Sequence, residues 1–306
     1  MCIFTQAIQS VADTSIFARR TNRDSQYVVY EMKYQSEKAN AMILPLPVQT
    51  PAAESSIKFI DLQDYKDLFK DLDNAFPHVV KRGFNTLAAD GQVASNSILR
   101  VHEVGNFIAS FVPNVDDFDR LDPQFTLPKS TWDKIPVYSD YGFAVFQLKE
   151  LAGKPHPIAF EFKSRTNDIF FPTMHIHDGQ IHAREEFDHA LYLQHPAFDK
   201  QVDDYFGPET LDYQTGLVRS KVKAAAVVKC EKTKGIVEPD LLIHRVSLHG
   251  VFPNRDMAVS ESQVKPRSFS KRLFKYWPIA IPLAAFAWLI NRRNKRSDQQ
   301  EKATAE

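Results

Sequence analysis

Residues 59–76 read FIDLQDYKDLFKDLDNAF. Apolar residues fall at Ile60, Leu62, Tyr65, Leu68, Phe69, Leu72 and Phe76, and the three- and four-residue steps among them predict an amphipathic helix. Asp61 or Asp64 can cap its start, and Pro77 follows its end. The alternating acids and lysines on the other side read as a solvated face. This stretch sets the fold class, because almost everything around it reads as strand.

Upstream, CIFTQAI, SIFARRT, QYVVYEMKY and NAMILPLPV are β-branched or aromatic-rich runs with polar breaks between them. The last ends on proline, which suits a strand end or an edge. Downstream, strands are expected at 97–103, 106–112, 141–149, 158–163, 170–177, 180–193, 221–228 and 241–251. A short helix fits 115–121, and a short helix with a loop fits 199–213. The expected class is therefore α+β: strand-dominated, antiparallel or mixed sheets with one long helix at 59–76.

The chain has 306 residues, 43% of them hydrophobic and 25% charged, enough for a well-filled core. Its 38 basic and 38 acidic residues cancel, which argues against a whole-domain electrostatic grip on nucleic acid. There are 23 Phe but only 10 Gly, and neither GxGxxG nor GxxxxGK[ST] occurs, so those phosphate-binding loops have no support. Cys2 and Cys230 are too few for a disulfide framework and have no CxxC spacing. The opening MCIFTQAIQSVADTSIFARR lacks the basic start and unbroken apolar run of a secretory signal, so the bulk of the chain is expected in the cytoplasm.

The last forty residues change character. Nine Lys or Arg and no acid lie between Lys265 and Arg296. They flank Tyr276–Ile290, YWPIAIPLAAFAWLI, fifteen residues without a charge. As a helix this run reaches roughly 22 Å, short of the ~30 Å hydrocarbon core. Snorkelling of Lys275, Arg292 and Arg293, with Tyr276, Trp277 and Trp288 at the interfaces, would supply part of the deficit. The expected organisation is a globular domain at 1–255, a basic linker at 256–275, a membrane anchor at 276–290 and a polar tail at 291–306.

Two places stand out for chemistry. The first is PTMHIHDGQIHAREEFDH, residues 172–189, which holds four of the chain's ten histidines. Asp178-Gly179 is a favoured two-residue hairpin turn. If it closes one, His175 opposes His182, and alternation puts His175, His177 and His182 on one face with Met174, Ile176 and Ile181 on the other. Opposed Cβ atoms lie about 4.5–5.5 Å apart, close enough for three imidazoles to share a zinc ion. The alternatives are a pH-sensitive patch and a plain polar face over an apolar one. His189 falls with Phe187 and Leu191 and is expected to be buried.

The second is Cys2. Trimming of the initiator methionine would leave its thiol beside an α-amine titrating near about 7.7–8.0, an economical nucleophile and base. The hairpin MCIFTQAIQSVADTSIFAR resembles that of N-terminal-nucleophile cysteine hydrolases of the penicillin V acylase and bile-salt hydrolase type. The resemblance implies an amidase with Cys2 as nucleophile and Arg19, in the phrase Ile16-Phe17-Ala18-Arg19, as its catalytic arginine.

A wider layout spans residues 2–178. A Cys precedes the first strand, Leu44-Pro45-Leu46-Pro47 ends another, and Val104-Gly105 opens a third. The aromatic strand Tyr141–Phe146 follows, then Phe160-Glu161-Phe162 and Phe171-Pro172. This order resembles an uncharacterised bacterial family of unknown function whose members often end in a membrane span; it implies no activity. Taken together, the sequence suggests a membrane-tethered binding or scaffold module for an unidentified protein or small molecule. Its ligand site would be the face holding His175, His177 and His182. The rival is a hydrolase using Cys2 and Arg19.

Overall fold

The computed structural model describes residues 2–21, 24–77, 99, 101–204 and 216–264. Its strands are β1 (Ile3–Phe4), β2 (Ser10–Arg20), β3 (Ser25–Gln35), β4 (Ala41–Leu46) and β5 (Ile57–Asp61), followed by helix α1 (Leu68–Asp73). Next come β6 (His102–Val104), β7 (Phe107–Val112), α2 (Lys129–Trp132), β8 (Gly142–Leu148), β9 (Ala152–Gly153), β10 (Ile158–Lys163) and β11 (Ile169–Phe171). The rest are β12 (Arg184–Gln194), α3 (Phe198–Gln201), β13 (Leu217–Lys223), β14 (Leu242–Pro253) and β15 (Met257–Val259). The strand-dominated α+β character is as expected.

Two sheets carry the fold. The smaller runs β1-β4-β8-β7-β6. The larger runs β13-β14-β12-β2-β3-β10-β5, with β9 added beside β3. Neighbours are antiparallel except β12 and β2, which run parallel from His189 opposite Thr14 to Gln194 opposite Arg19. A main core containing Phe4, Met42, Phe146, Val28, Phe160 and Leu191 draws on both sheets. The other face of the larger sheet packs Phe17, Val29 and Tyr192 against Leu68 and Phe69 of α1 and against Ile236. The other face of the smaller sheet packs Ile43 and Val145 against Phe118, Trp132, Met174 and Ile176. Because both faces are covered, β8 (GFAVFQL) is buried at every position and has lost the apolar–polar alternation of a half-exposed strand.

The long helix expected at 59–76 is corrected. Two periods share that stretch. Ile57–Asp61 is a strand paired with β10, Ile60 opposite Ala159. Asp61 ends it by accepting the Gln63 N–H at 2.9 Å, and only six residues, Leu68–Asp73, form α-helix. Ile60, Leu62, Tyr65, Leu68 and Leu72 do meet in one core, so the apolar positions are informative although the element is not continuous.

The described residues up to Val264 belong to one compact unit. The run Tyr276–Ile290 lies outside the described residues. Among the described residues no helix is long and apolar enough to cross a membrane. The expected membrane-anchored architecture, with its membrane partner and location, is corrected accordingly; at roughly 22 Å the run is in any case short of a span.

Candidate functional site

The chemistry-bearing residues of the sequence gather around segment 172–177, and the hairpin expected there does not form. Asp178 accepts the Gln180 N–H at 2.9 Å, and Gly179 takes φ 78°, so the local turn exists. The residues before it find a different partner. Phe4 N–H donates to the Ile176 carbonyl at 3.0 Å, Ile176 N–H to the Cys2 carbonyl at 3.3 Å, and Ile8 N–H to the His177 carbonyl at 2.9 Å. Ile3 and Ile176 form a parallel bridge. The N-terminal strand has taken the place that residues 180–182 would fill in a hairpin.

The turn between β14 and β15 holds the segment from the opposite side. Asn254 acts as a surrogate peptide group. Its Oδ1 accepts the His175 N–H at 2.8 Å, while its Nδ2 donates to the carbonyls of His175 at 2.9 Å and His182 at 3.0 Å. Asp256 Oδ1 accepts the N–H groups of Thr173 at 2.8 Å and Met174 at 3.0 Å. Its other oxygen accepts the Tyr138 hydroxyl at 2.7 Å. Burial raises the Asp256 carboxyl to about 6 against these bonds.

Alternation along 174–177 is as expected: Met174 and Ile176 enter the core of the smaller sheet. The histidine face is not wet, because β12 lies over it. His175 is fully buried, its ring 4.2 Å from that of Phe187, 5.2 Å from His177 and 5.3 Å from His189, with both histidine neighbours stacked on it. His189 is buried too. Burial drives the basicity of His175 far below the ordinary imidazole range and that of His177 down to about 4. His182 is elsewhere, exposed and paired with Asp178 at 3.0 Å. The zinc site expected from His175, His177 and His182 is therefore corrected. Two of its members are enclosed and the third is on the surface. Among the described residues no group of three or more His, Cys, Asp or Glu is arranged to hold a metal ion.

Cys2 and Arg19 are not brought together. The Cys2 side chain is buried in the main core with Ile16 and Ala18, its Sγ 3.8 Å from Sδ of Met32. Burial pushes its thiol up to about 12, which keeps it protonated and a poor nucleophile. Arg19 is one residue on from Ala18 in β2 and so points to the opposite face. There it donates to the carbonyls of Ile236 and Gly235, both at 2.6 Å, pairs with Glu238 at 3.3 Å and lies over the Tyr27 ring. It ties the 224–241 connection to the larger sheet.

Sequence reading missed a second histidine cluster. Fully buried His244 on β14 has Nε2 3.5 Å from Oδ1 of Asp199, whose other oxygen accepts the Leu242 N–H at 3.2 Å. His195 stacks on Phe198 at 4.5 Å, and Phe198 meets His244 edge-on. The i,i+4 spacing of His195 and Asp199 at a helix start was a signal for it. Nothing local pointed to Asn254 and Asp256.

No family model matches the chain. Among solved structures it is similar to the crystal structure of baculovirus P35, at 14% identity over 85% of this chain and 100% of that one, with a TM-score of 0.44. A mutated baculovirus P35 after caspase cleavage gives 14% identity over 81% of this chain and 99% of that one, with a TM-score of 0.43. The caspase-8/P35 complex gives 13%, 81%, 96% and 0.38. These are weak, partial likenesses; the fold rests on this chain's own strand order and registers.

Proposed function

We propose that this chain is a protein-binding domain that acts by contact rather than by turnover, with no part assigned to a bound metal or a membrane tether. The observation that carries this reading is the fate of its most reactive side chains. Cys2 is sealed between two sheets with its thiol held protonated, and Arg19 is committed to Gly235, Ile236 and Glu238 on the far face. Both serve the framework. What the framework presents outward are its long connections, such as 113–141 over one sheet and 224–241 over the other. Irregular segments on a rigid scaffold are where binding surfaces are usually built.

Native-state alkylation tests the reading. In a Cys230→Ser background, iodoacetamide at mildly alkaline pH should modify Cys2 only after the chain is unfolded. Rapid stoichiometric modification of the native protein, accompanied by hydrolysis of a simple amide that Cys2→Ala abolishes, would overturn it.

A further inference from the structure

Segment 172–177 belongs to neither sheet, yet it joins the N-terminal strand to the β14–β15 turn. Its side-chain contacts with β12 of the larger sheet run through the His175 ring, packed on Phe187 and stacked with His189. We propose that this joint is an acid-opened latch: protonation of the stacked His175 and His177 rings releases segment 172–177, and with it the N-terminal strand, while both sheets stay paired.

The geometry supports each part. The two rings are stacked at 5.2 Å with planes 15° apart, and His189 also stacks on His175 at 5.3 Å with planes 12° apart. Neutral rings pack well this way, whereas charged rings would repel one another in a site walled by Phe4 and Phe187. No described residue hydrogen-bonds either ring nitrogen of His175. The charged and titratable groups facing the pair are few. On the N-terminal side are the positive amino terminus and the protonated Cys2 thiol. From β12 comes His189. At the outer end of the segment is Asp178, already engaged by His182. On the turn is Asp256, occupied by two backbone N–H groups and Tyr138.

Both histidines are less basic in the closed state than the ordinary ~6.5, so closure is fully favoured above that pH and is lost as pH falls below it. Each ring that gains its proton only on opening multiplies the open fraction about tenfold per pH unit. Asp256 opposes them: its carboxyl is raised to about 6, so protonation below that pH favours the closed form. Two rings against one carboxyl leave a net rise of about tenfold per pH unit between roughly pH 6 and pH 4.

Exposure of Cys2 reads the latch. In the full-length Cys230→Ser chain, modification of Cys2 by 4,4′-dithiodipyridine, which reacts with thiols in acid, is followed from about pH 7 to about pH 5 and normalised to the unfolded chain. The expected result is an accelerating rate on acidification, on the order of tenfold per pH unit below about 6, with the far-ultraviolet strand signal unchanged. His175→Phe with His177→Phe should abolish that rise and leave the opposite slope set by Asp256, a rate that falls on acidification below about pH 6. Should the double variant fail to fold, hydrogen exchange on the wild-type chain replaces it. The amides of Phe4, Ile8 and Ile176 should lose protection on acidification while that of Val145 in β8 keeps it. A flat modification rate, a rise that coincides with loss of the strand signal, an unchanged profile in a folded double variant, or uniform loss of protection would each overturn the latch.

Discussion

Two histidine clusters lie on the same face of the larger sheet and solve burial in opposite ways. His189, opposite Leu248, belongs to the cluster with His175 and His177; His244, opposite Leu193, belongs to the other. At the first, imidazole packs on imidazole and on Phe187, with no carboxylate against the rings of His175. At the second, Asp199 stands 3.5 Å from His244. Burial lowers the basicity of His177 and His244 alike, each to about 4. The difference is what happens after protonation: an imidazolium at His244 meets an anion, and one at His175 meets other imidazoles. The same residue type thus makes a joint that acid opens and a joint that acid can re-pair.

The largest effect should come from removing the platform of the first cluster. Phe187 is almost fully buried and contacts the rings of His175, His189 and Phe252. Phe187→Ala should cost about 3–5 kcal/mol of unfolding free energy. Chemical denaturation at neutral pH checks this, and a loss well under that range would mean that the segment does not depend on the platform.

Next comes the anion of the second cluster. Asp199→Ala leaves the Leu242 N–H without its acceptor and should cost about 1–3 kcal/mol at neutral pH. It should also make the second cluster resemble the first. Burial raises the Asp199 carboxyl, so in the wild type its protonation favours the folded form as pH falls; without it nothing offsets the cost of charging the buried His244 ring, and stability drops further at low pH. Melting temperatures from pH 7 downward would show the extended decline, and parallel curves for variant and wild type would erase the contrast.

Asp256→Asn sharpens the comparison from the other direction. An amide oxygen can still accept from Thr173 and Met174, so the knot should hold. The wild-type carboxyl, raised by burial to about 6, is strained when ionised and gains stability as pH falls through that value. Without it, stability at pH 7 should change little or rise, and the decline below about pH 6 should steepen by one proton. A marked destabilisation at pH 7 would show that the charge itself is needed.

Much of this arrangement is legible in the sequence, and the unread part has a common cause. Residues 158–163 read as a strand and are β10, Ile158–Lys163. The alternation of Met174, His175, Ile176 and His177 is as the residues imply, and so is the burial of His189. What local pattern does not carry is the choice of partner. Asp178-Gly179 is a hairpin turn by every short-range criterion, yet Ile176 pairs with Ile3, far away in sequence, because β1 completes the smaller sheet there. A strand face that looks wet in isolation becomes core once β12 covers it. The same limit applies to Cys2 and Arg19: a twenty-residue likeness carries identity and spacing, not the sheet face each side chain takes. In residues 59–76 the failure is different. A period of two runs into a period near 3.6 without a break in apolar content, and the turn at Asp61 is signalled only by its side chain.

The smallest effect should be at His182. Its ring is exposed and engages the exposed Asp178 carboxylate across 3.0 Å. That pair raises the basicity of His182 through its hydrogen bond with Asp178, the reverse of the shift at His175 and His177. A histidine made more basic on folding contributes stability below its ordinary titration range and loses it as pH rises, so His182 cannot account for acid opening. Solvent and salt screen such a pair. His182→Ala should therefore leave both the melting temperature at pH 7 and the acid profile of Cys2 modification unchanged. Added zinc should not shift the melting temperature of either the wild type or the variant, because the ring stands apart from the two buried ones. A zinc-dependent rise that disappears with His182→Ala would mean that segment 172–182 rearranges in solution to bring the three rings together, and the distinction between an enclosed joint and a surface pair would fail at that point.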